Sequence, residues 1–164
     1  MGMTMQALAW LIFIALGVGF FSDVIEKRFN PNQDPTTYIA EDGVREVVLK
    51  RNRAGHYVTA GAINGQPVVF MLDTGATGVA LPAKIADQLG VTRGRTIPTR
   101  TANGISTSYA TSLDSVSVGD IALTDVRAGI TPGLNTDQVL LGMSFLKHIE
   151  FTQRGNTLIL RQYP

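Results

Sequence analysis

The strongest chemical signal in the chain is the run Leu72-Asp73-Thr74-Gly75-Ala76-Thr77. It closes a mostly apolar stretch, residues 67–73 (PVVFMLD). An acid at the end of such a stretch is costly, because a desolvated carboxylate needs hydrogen bonds or a partner to offset the lost water. Gly75 lets the chain turn sharply after Thr74, so the carboxylate can project into a cleft rather than the core. Asp-Thr-Gly is also a serviceable structural turn. A given tripeptide occurs by chance in roughly one chain in thirty at this length, so the motif must be weighed with its surroundings.

Other chemistries find little support. The chain has no cysteine, which removes disulfides, thiol nucleophiles and Cys-based metal sites. His56 and His148 lie far apart and in no ligand spacing, so neither a metal nor a cofactor is expected. The formal net charge is +1 and no Lys/Arg cluster forms a phosphate-binding stripe, so nucleic acid is not an expected partner. Gly61, Gly65, Gly75 and Gly78 are not followed by Gly-Lys-Ser/Thr and make no phosphate cradle. Asp42, Asp114, Asp120, Asp125 and Asp137 read as turn residues or solvated acids.

Short β-branched runs and turn pairs must position the acid. Residues 46–50 and 56–63 read as strands, with Asn64-Gly65 as a strong hairpin turn. The run 67–73 reads as a strand buried on both faces. Residues 82–89 predict one short helix, opened by Pro82 and closed by Gly90. Asn103-Gly104 lies between Thr-rich extended arms and predicts a second hairpin. Residues 115–118 and 121–126 predict a third around Gly119-Asp120. Residues 139–141 read as a strand, 143–148 as a brief helix, and 149–152 with 157–162 as a last hairpin.

The N-terminus differs. Residues 1–21 carry no charge, and 7–21 (ALAWLIFIALGVGFF) are almost wholly apolar. A bilayer core of ~30 Å needs about 20 helical residues, which this stretch just supplies. No Lys or Arg precedes it and Ala15-Leu16-Gly17 is a weak cleavage site, which favours an uncleaved anchor over a secretory signal. The lone Trp10 falls in this stretch, where an interfacial or lipid-facing role suits it. The expected division is an anchor at 1–22, a polar stalk at 23–45 broken by Asn30-Pro31-Asn32-Gln33-Asp34-Pro35, and a folded domain at 46–164. Lys27 and Arg28 favour a cytoplasmic C-terminal side.

Taken in order, the apolar strand entering Asp-Thr-Gly-Ala-Thr, the later Asn-Gly hairpin and Leu140-Leu141-Gly142 before Met143-Ser144-Phe145-Leu146 form a pattern. From about residue 56 to the C-terminus it resembles the retropepsin-like aspartic proteases, and most closely their membrane-anchored bacterial members. The resemblance implies an all-β fold: a small closed barrel with a ψ-shaped crossing at the active site and one or two short helices, preceded here by a transmembrane helix. It implies that Asp73 is the catalytic acid/base and that Thr74 locks two active-site loops together across a dimer axis. Gly75 would allow close approach of substrate and Ala76 would complete the loop wall. Leu140, Leu141 and Gly142 would pack behind that loop. A flap at Asn103 and Gly104 would close over a bound polypeptide. It further suggests a single-pass protein of a Gram-negative inner membrane with a periplasmic catalytic domain, opposite to the charge count at Lys27 and Arg28.

Peptide hydrolysis without a metal or covalent nucleophile needs a base for the attacking water and an acid for the carbonyl oxygen. Two carboxylates about 3 Å apart cannot both ionise, so they share a proton and offer both roles. The chain holds one Asp-Thr-Gly and is short for two lobes, so a homodimer would supply the second Asp73 by symmetry. Two non-catalytic readings stand beside this one. One is a retropepsin-like dimerisation or peptide-binding module that keeps the loop for its structure. The other is a membrane-anchored assembly factor whose β-domain binds partners.

Overall fold

Turn chemistry lays out the strands. Asn64 and Gly65 both take positive φ, as a two-residue hairpin turn of matching twist requires. The computed structural model of the chain describes residues 3–101 and 104–164. A long helix, α1 (Met3–Phe29), is followed by β1 (Thr37–Ile39), β2 (Arg45–Lys50), β3 (Val58–Ile63) and β4 (Gln66–Leu72). Then come β5 (Val79–Pro82), α2 (Ala83–Gln88), β6 (Thr96–Thr101), β7 (Gly104–Val118) and β8 (Ile121–Thr131). The last elements are β9 (Val139–Leu141), α3 (Met143–Leu146), β10 (Glu150–Arg154) and β11 (Thr157–Gln162). The chain is mainly β, with two short helices after the N-terminal apolar one, as its pattern implies.

Six strands close on themselves. The larger sheet runs β3-β4-β9-β5-β8-β7, and β7 returns to β3 through Ala62↔Ser117 and Ile63↔Val116. β6 hangs on β7 as an outer arm. Within the barrel β9 lies parallel to β4 and meets β5 antiparallel at Ala80↔Leu140, while β5 runs parallel to β8. This sets β9 between β4 and β5. A second, antiparallel sheet has the order β1-β2-β11-β10. Its inner residues Val47, Leu49, Leu158 and Leu160 join Ile63, Phe70, Leu81, Leu113, Ile130, Leu141 and Phe145 in one core. Burial of each such side chain contributes roughly 1.5–3 kcal/mol.

Four sequence expectations need correction. The apolar helix continues past 22 to Phe29, because Glu26, Lys27 and Arg28 end a lipid-compatible stretch without disfavouring helix. It stops at Asn30, whose N–H donates to the Glu26 carbonyl (2.8 Å), just before Pro31. The stretch from Asn30 is irregular but not loose: Asn30 and Asn32 are buried, and β1 pairs with β2. The Asn32 amide donates to the carbonyls of Lys50 (2.9 Å) and Val58 (2.7 Å), and its Oδ1 accepts from the Lys50 N–H (2.7 Å). On β4 only Phe70 is fully buried, so the strand covers the core with one face rather than two. Finally, the flap arm and the first strand of the third hairpin are one continuous strand, the 15-residue β7, which stays paired with β8 from Tyr109 to Val118.

Candidate active site

Asp73 follows the last residue of β4, where the strand leaves the barrel. Its N–H donates to the Leu141 carbonyl (3.2 Å), and the preceding Leu72 N–H donates to Tyr57 (2.9 Å). The loop then folds on itself: Ala76 N–H reaches the Asp73 carbonyl (3.2 Å), and Gly75 N–H donates to Asp73 Oδ1 (2.9 Å). That second bond orients the carboxylate. It is also the only side-chain partner of Asp73 among the described residues, for no cation pairs with it. Asp73 is half-buried, while Thr74, Gly75 and Thr77 are exposed and Ala76 is half-buried.

The second motif clamps the first. Met143 N–H donates to the Ala76 carbonyl (2.8 Å). Gly142 is extended (φ −95°, ψ −168°), so its backbone would admit any residue. Room is what demands glycine: a Cβ there would collide with the carbonyl oxygens of Gly78 and Ala76. Leu141 is buried and registers with Leu72, while the half-buried Leu140 registers with Met71 and Ala80. The fold thus brings Asp73, Thr74, Gly75 and Ala76 together with Leu140, Leu141 and Gly142.

Gly104 belongs to another part of the molecule, the tip of the β6–β7 hairpin, where it registers with Thr101 at φ +111°. Asn103 lies outside the described residues. The base of this arm is tied to the barrel by a buried contact between Ser108 Oγ and Thr131 Oγ1 (2.9 Å). Ser106 lies close to Gly133 in the loop that leads to β9.

Some participants were not evident in sequence. Ser144 Oγ accepts from Val79 N–H (3.0 Å) and donates to the Arg127 carbonyl (2.7 Å), which joins α3 to the far side of the acid loop. Its partners lie 65 and 17 residues away, beyond any local pattern. A groove of about 220 Å³ runs beside Thr74, lined by Tyr57, Leu72, Leu146, Phe151, Gln153 and Leu158. A roomier depression of about 310 Å³ lies between Pro82-Ala83-Lys84 and the 132–137 loop. Asp73 lines neither. Among the described residues no three His, Cys, Asp or Glu side chains are grouped to hold a metal ion.

Comparison with known proteins agrees with this geometry. Residues 59–148 match the family described as "gag-polyprotein putative aspartyl protease". The crystal structure of a retropepsin-like aspartic protease from Rickettsia conorii superposes with a TM-score of 0.60 at 28% identity, over 79% of this chain and 95% of that one. An uncharacterised protein encoded in the cobV 5' region of a Sinorhizobium species is 33% identical over 73% of this chain and 53% of its own length. An uncharacterised protein of Rickettsia prowazekii (strain Madrid E) is 31% identical over 73% of this chain and 52% of its own. The chain spans about half the length of these curated relatives. A closed barrel that presents Asp-Thr-Gly at a strand crossing defines a retropepsin-like aspartic protease fold. The chain belongs to the gag-polyprotein aspartyl protease family.

Proposed function

We propose that the chain is an aspartic endopeptidase whose site forms when two protomers bring their Asp73 carboxylates together. The observation that carries this reading is the state of Asp73. An acid at the mouth of an apolar strand has no cation paired with it among the described residues, yet its loop is held by main-chain bonds from two directions. The Gly75 N–H bond to Asp73 Oδ1 would also serve a structural turn, so the clamping of the loop by Leu141 and Met143, together with the family, is what favours the enzyme over the binding module.

In the dimer one carboxylate is ionised and the other protonated, because two charges at that separation repel. The ionised one takes a proton from water as its oxygen attacks the peptide carbonyl carbon, and the protonated one gives its proton to the carbonyl oxygen. Collapse of the resulting gem-diol breaks the C–N bond, and the amine leaves with a proton returned from the dyad. Thr74 contacts its counterpart across the axis, Gly75 and Ala76 wall the substrate channel, and the hairpin tip with Asn103 and Gly104 covers a bound extended polypeptide. Residues 46–164, with the Asn30–Asn32 junction and β1 bonded to them, act as the catalytic unit, and α1 serves as its anchor. The span Met5–Phe29 is long and apolar enough to cross a membrane (mean hydropathy 2.2), a test that a signal sequence also passes. As an anchor it holds the domain at an inner-membrane surface on the periplasmic side.

The test is Asp73→Asn, which keeps shape but cannot cycle a proton. Peptidase turnover should fall by roughly 10²–10⁴-fold or more, with the melting temperature preserved. Comparable turnover by the variant would refute the assignment of Asp73.

A further inference from the structure

The foot of α1 is built into the β domain. Asn52 Nδ2 donates to the carbonyl of Phe29, the last residue of the helix (2.9 Å), and seats the turn between β2 and β3 against the helix end. That turn is closed on itself: Asn52 N–H donates to the His56 carbonyl (2.8 Å), and Gly55 N–H to the Asn52 carbonyl (3.1 Å). Arg51 ties it to the turn between β10 and β11. Its N–H donates to the Asn156 carbonyl (2.8 Å) and its guanidinium to Asn156 Oδ1 (2.6 Å). The helix end and the two turns are therefore one bonded surface.

Basic residues gather on it. Lys27 and Arg28 lie in the last turn of α1, Lys50, Arg51 and Arg53 at the first turn, and Arg154 at the second. All are exposed, and none forms an ion pair among the described residues. Lys50 and Arg154 both register with Thr157 from opposite sides, so they stand ~10 Å apart on one face of the sheet. Acids are scarce here. Glu26 shares the last helical turn, but the sequence has no Asp or Glu between Glu46 and Asp73. Glu46 and Glu150, on the same sheet face, are both held by Arg161 farther along the strands. No single stretch of sequence makes a basic stripe; the fold assembles one.

The helix sets the height of this surface. The span Met5–Phe29 has 25 residues, which at roughly 1.5 Å each reach about 38 Å. A hydrocarbon core takes only ~30 Å of that, and the headgroup layers extend a bilayer to about 40–45 Å. With α1 across a bilayer, its last turn and the turns bonded to it fall at the headgroups.

We propose that this basic surface docks on the anionic lipid headgroups of the bilayer that holds α1, and so fixes the posture of the domain above the membrane. The proposal rests on the anchor reading given above and turns a tether into a clamp. Tyr57 follows the docked turn directly, and its carbonyl holds Leu72 N–H beside Asp73 (2.9 Å), so the clamped segment runs into the one that supports the acid loop.

The chain has no cysteine and Ala54 is exposed in the turn, so Ala54→Cys carries a single fluorescent label at the proposed contact. The full-length labelled protein is placed in nanodiscs of phosphatidylcholine with or without phosphatidylglycerol, and quenching by acrylamide, a neutral molecule, is measured. Quenching should fall by roughly threefold or more when the anionic lipid is present, and high salt should reverse the change. Adding Lys50→Gln, Arg53→Gln and Arg154→Gln should leave the label equally open in both bilayers; Arg51 is kept because it bonds Asn156. Quenching that ignores phosphatidylglycerol, or shielding that survives the three substitutions, would overturn the proposal. So would shielding brought on in neutral nanodiscs by an acidic peptide or an RNA oligonucleotide but not by the lipid. The anchor fails by a different sign. Protein that alkaline carbonate strips from phosphatidylcholine vesicles refutes the anchor and the clamp with it, whereas carbonate-resistant protein with a lipid-insensitive label refutes the clamp alone.

Discussion

At the residue scale, the requirement at position 142 is for space rather than for backbone freedom. Gly142 has an ordinary extended backbone, but the carbonyls of Gly78 and Ala76 occupy the room a side chain would need. Gly142→Ala should therefore push the acid loop away from α3. Overpacking of this kind costs roughly 1–3 kcal/mol, and here it also displaces Asp73. Thermal unfolding should show the lowered stability, and turnover should fall although every proposed catalytic atom remains. A variant with wild-type melting and rate would mean that the loop is not clamped there. Asp73 itself was legible, because an acid followed by Thr-Gly at the end of an apolar run is a local pattern. Gly142 could be placed only through the order of the two motifs, since what crowds it is backbone from 64 and 66 residues earlier. Ser144 and Tyr57 could not be read at all, because their surroundings are set by distant segments.

At the element scale, the junction after α1 is a bolt rather than a loose stalk. Asn30-Pro31-Asn32 has the composition of a breaker, and it does break the helix. The side chain of Asn32, however, replaces the missing ladder with three bonds to Lys50 and Val58, and the Asn32 main-chain carbonyl accepts from Ala60 N–H (2.9 Å). Asn52 Nδ2 adds a bond to the Phe29 carbonyl (2.9 Å). Composition records polarity, not partners, which is why the sequence reads here as a stalk. Asn32→Ala should leave buried carbonyls unpaired at a cost of about 1–3 kcal/mol, seen as a melting drop of about 2–4 °C per kcal/mol. Limited proteolysis should separate the two states. The wild type should resist cleavage at 30–39 and be cut first at the exposed turn 41–43, whereas the variant should open at 30–35. Equal cleavage of both proteins at 30–35 would remove the bolt. The strands after residue 45 were largely legible, because Asn-Gly and Gly-Asp pairs mark their turns. Barrel closure by β7 onto β3 was not, because it depends on two residue pairs far apart in the chain.

At the scale of the whole molecule, Asp73 is half-buried and lines neither of the two depressions, and the groove beside Thr74 stays open. The proposed second copy would add the second carboxylate to that site. Tethering in a membrane would raise the effective concentration of that copy without any new contact. The central claim is therefore that neither protomer is an enzyme alone, and mixing tests it most directly. Wild-type protein at fixed concentration is combined with increasing Asp73→Asn protein in shared micelles, and peptidase activity per wild-type chain is measured once subunits have exchanged. Mixed dimers carry one competent carboxylate, so at a ninefold excess of variant the activity should fall to about one-tenth by mass action. Activity per wild-type chain that stays constant across the titration, with exchange verified, would contradict the shared site.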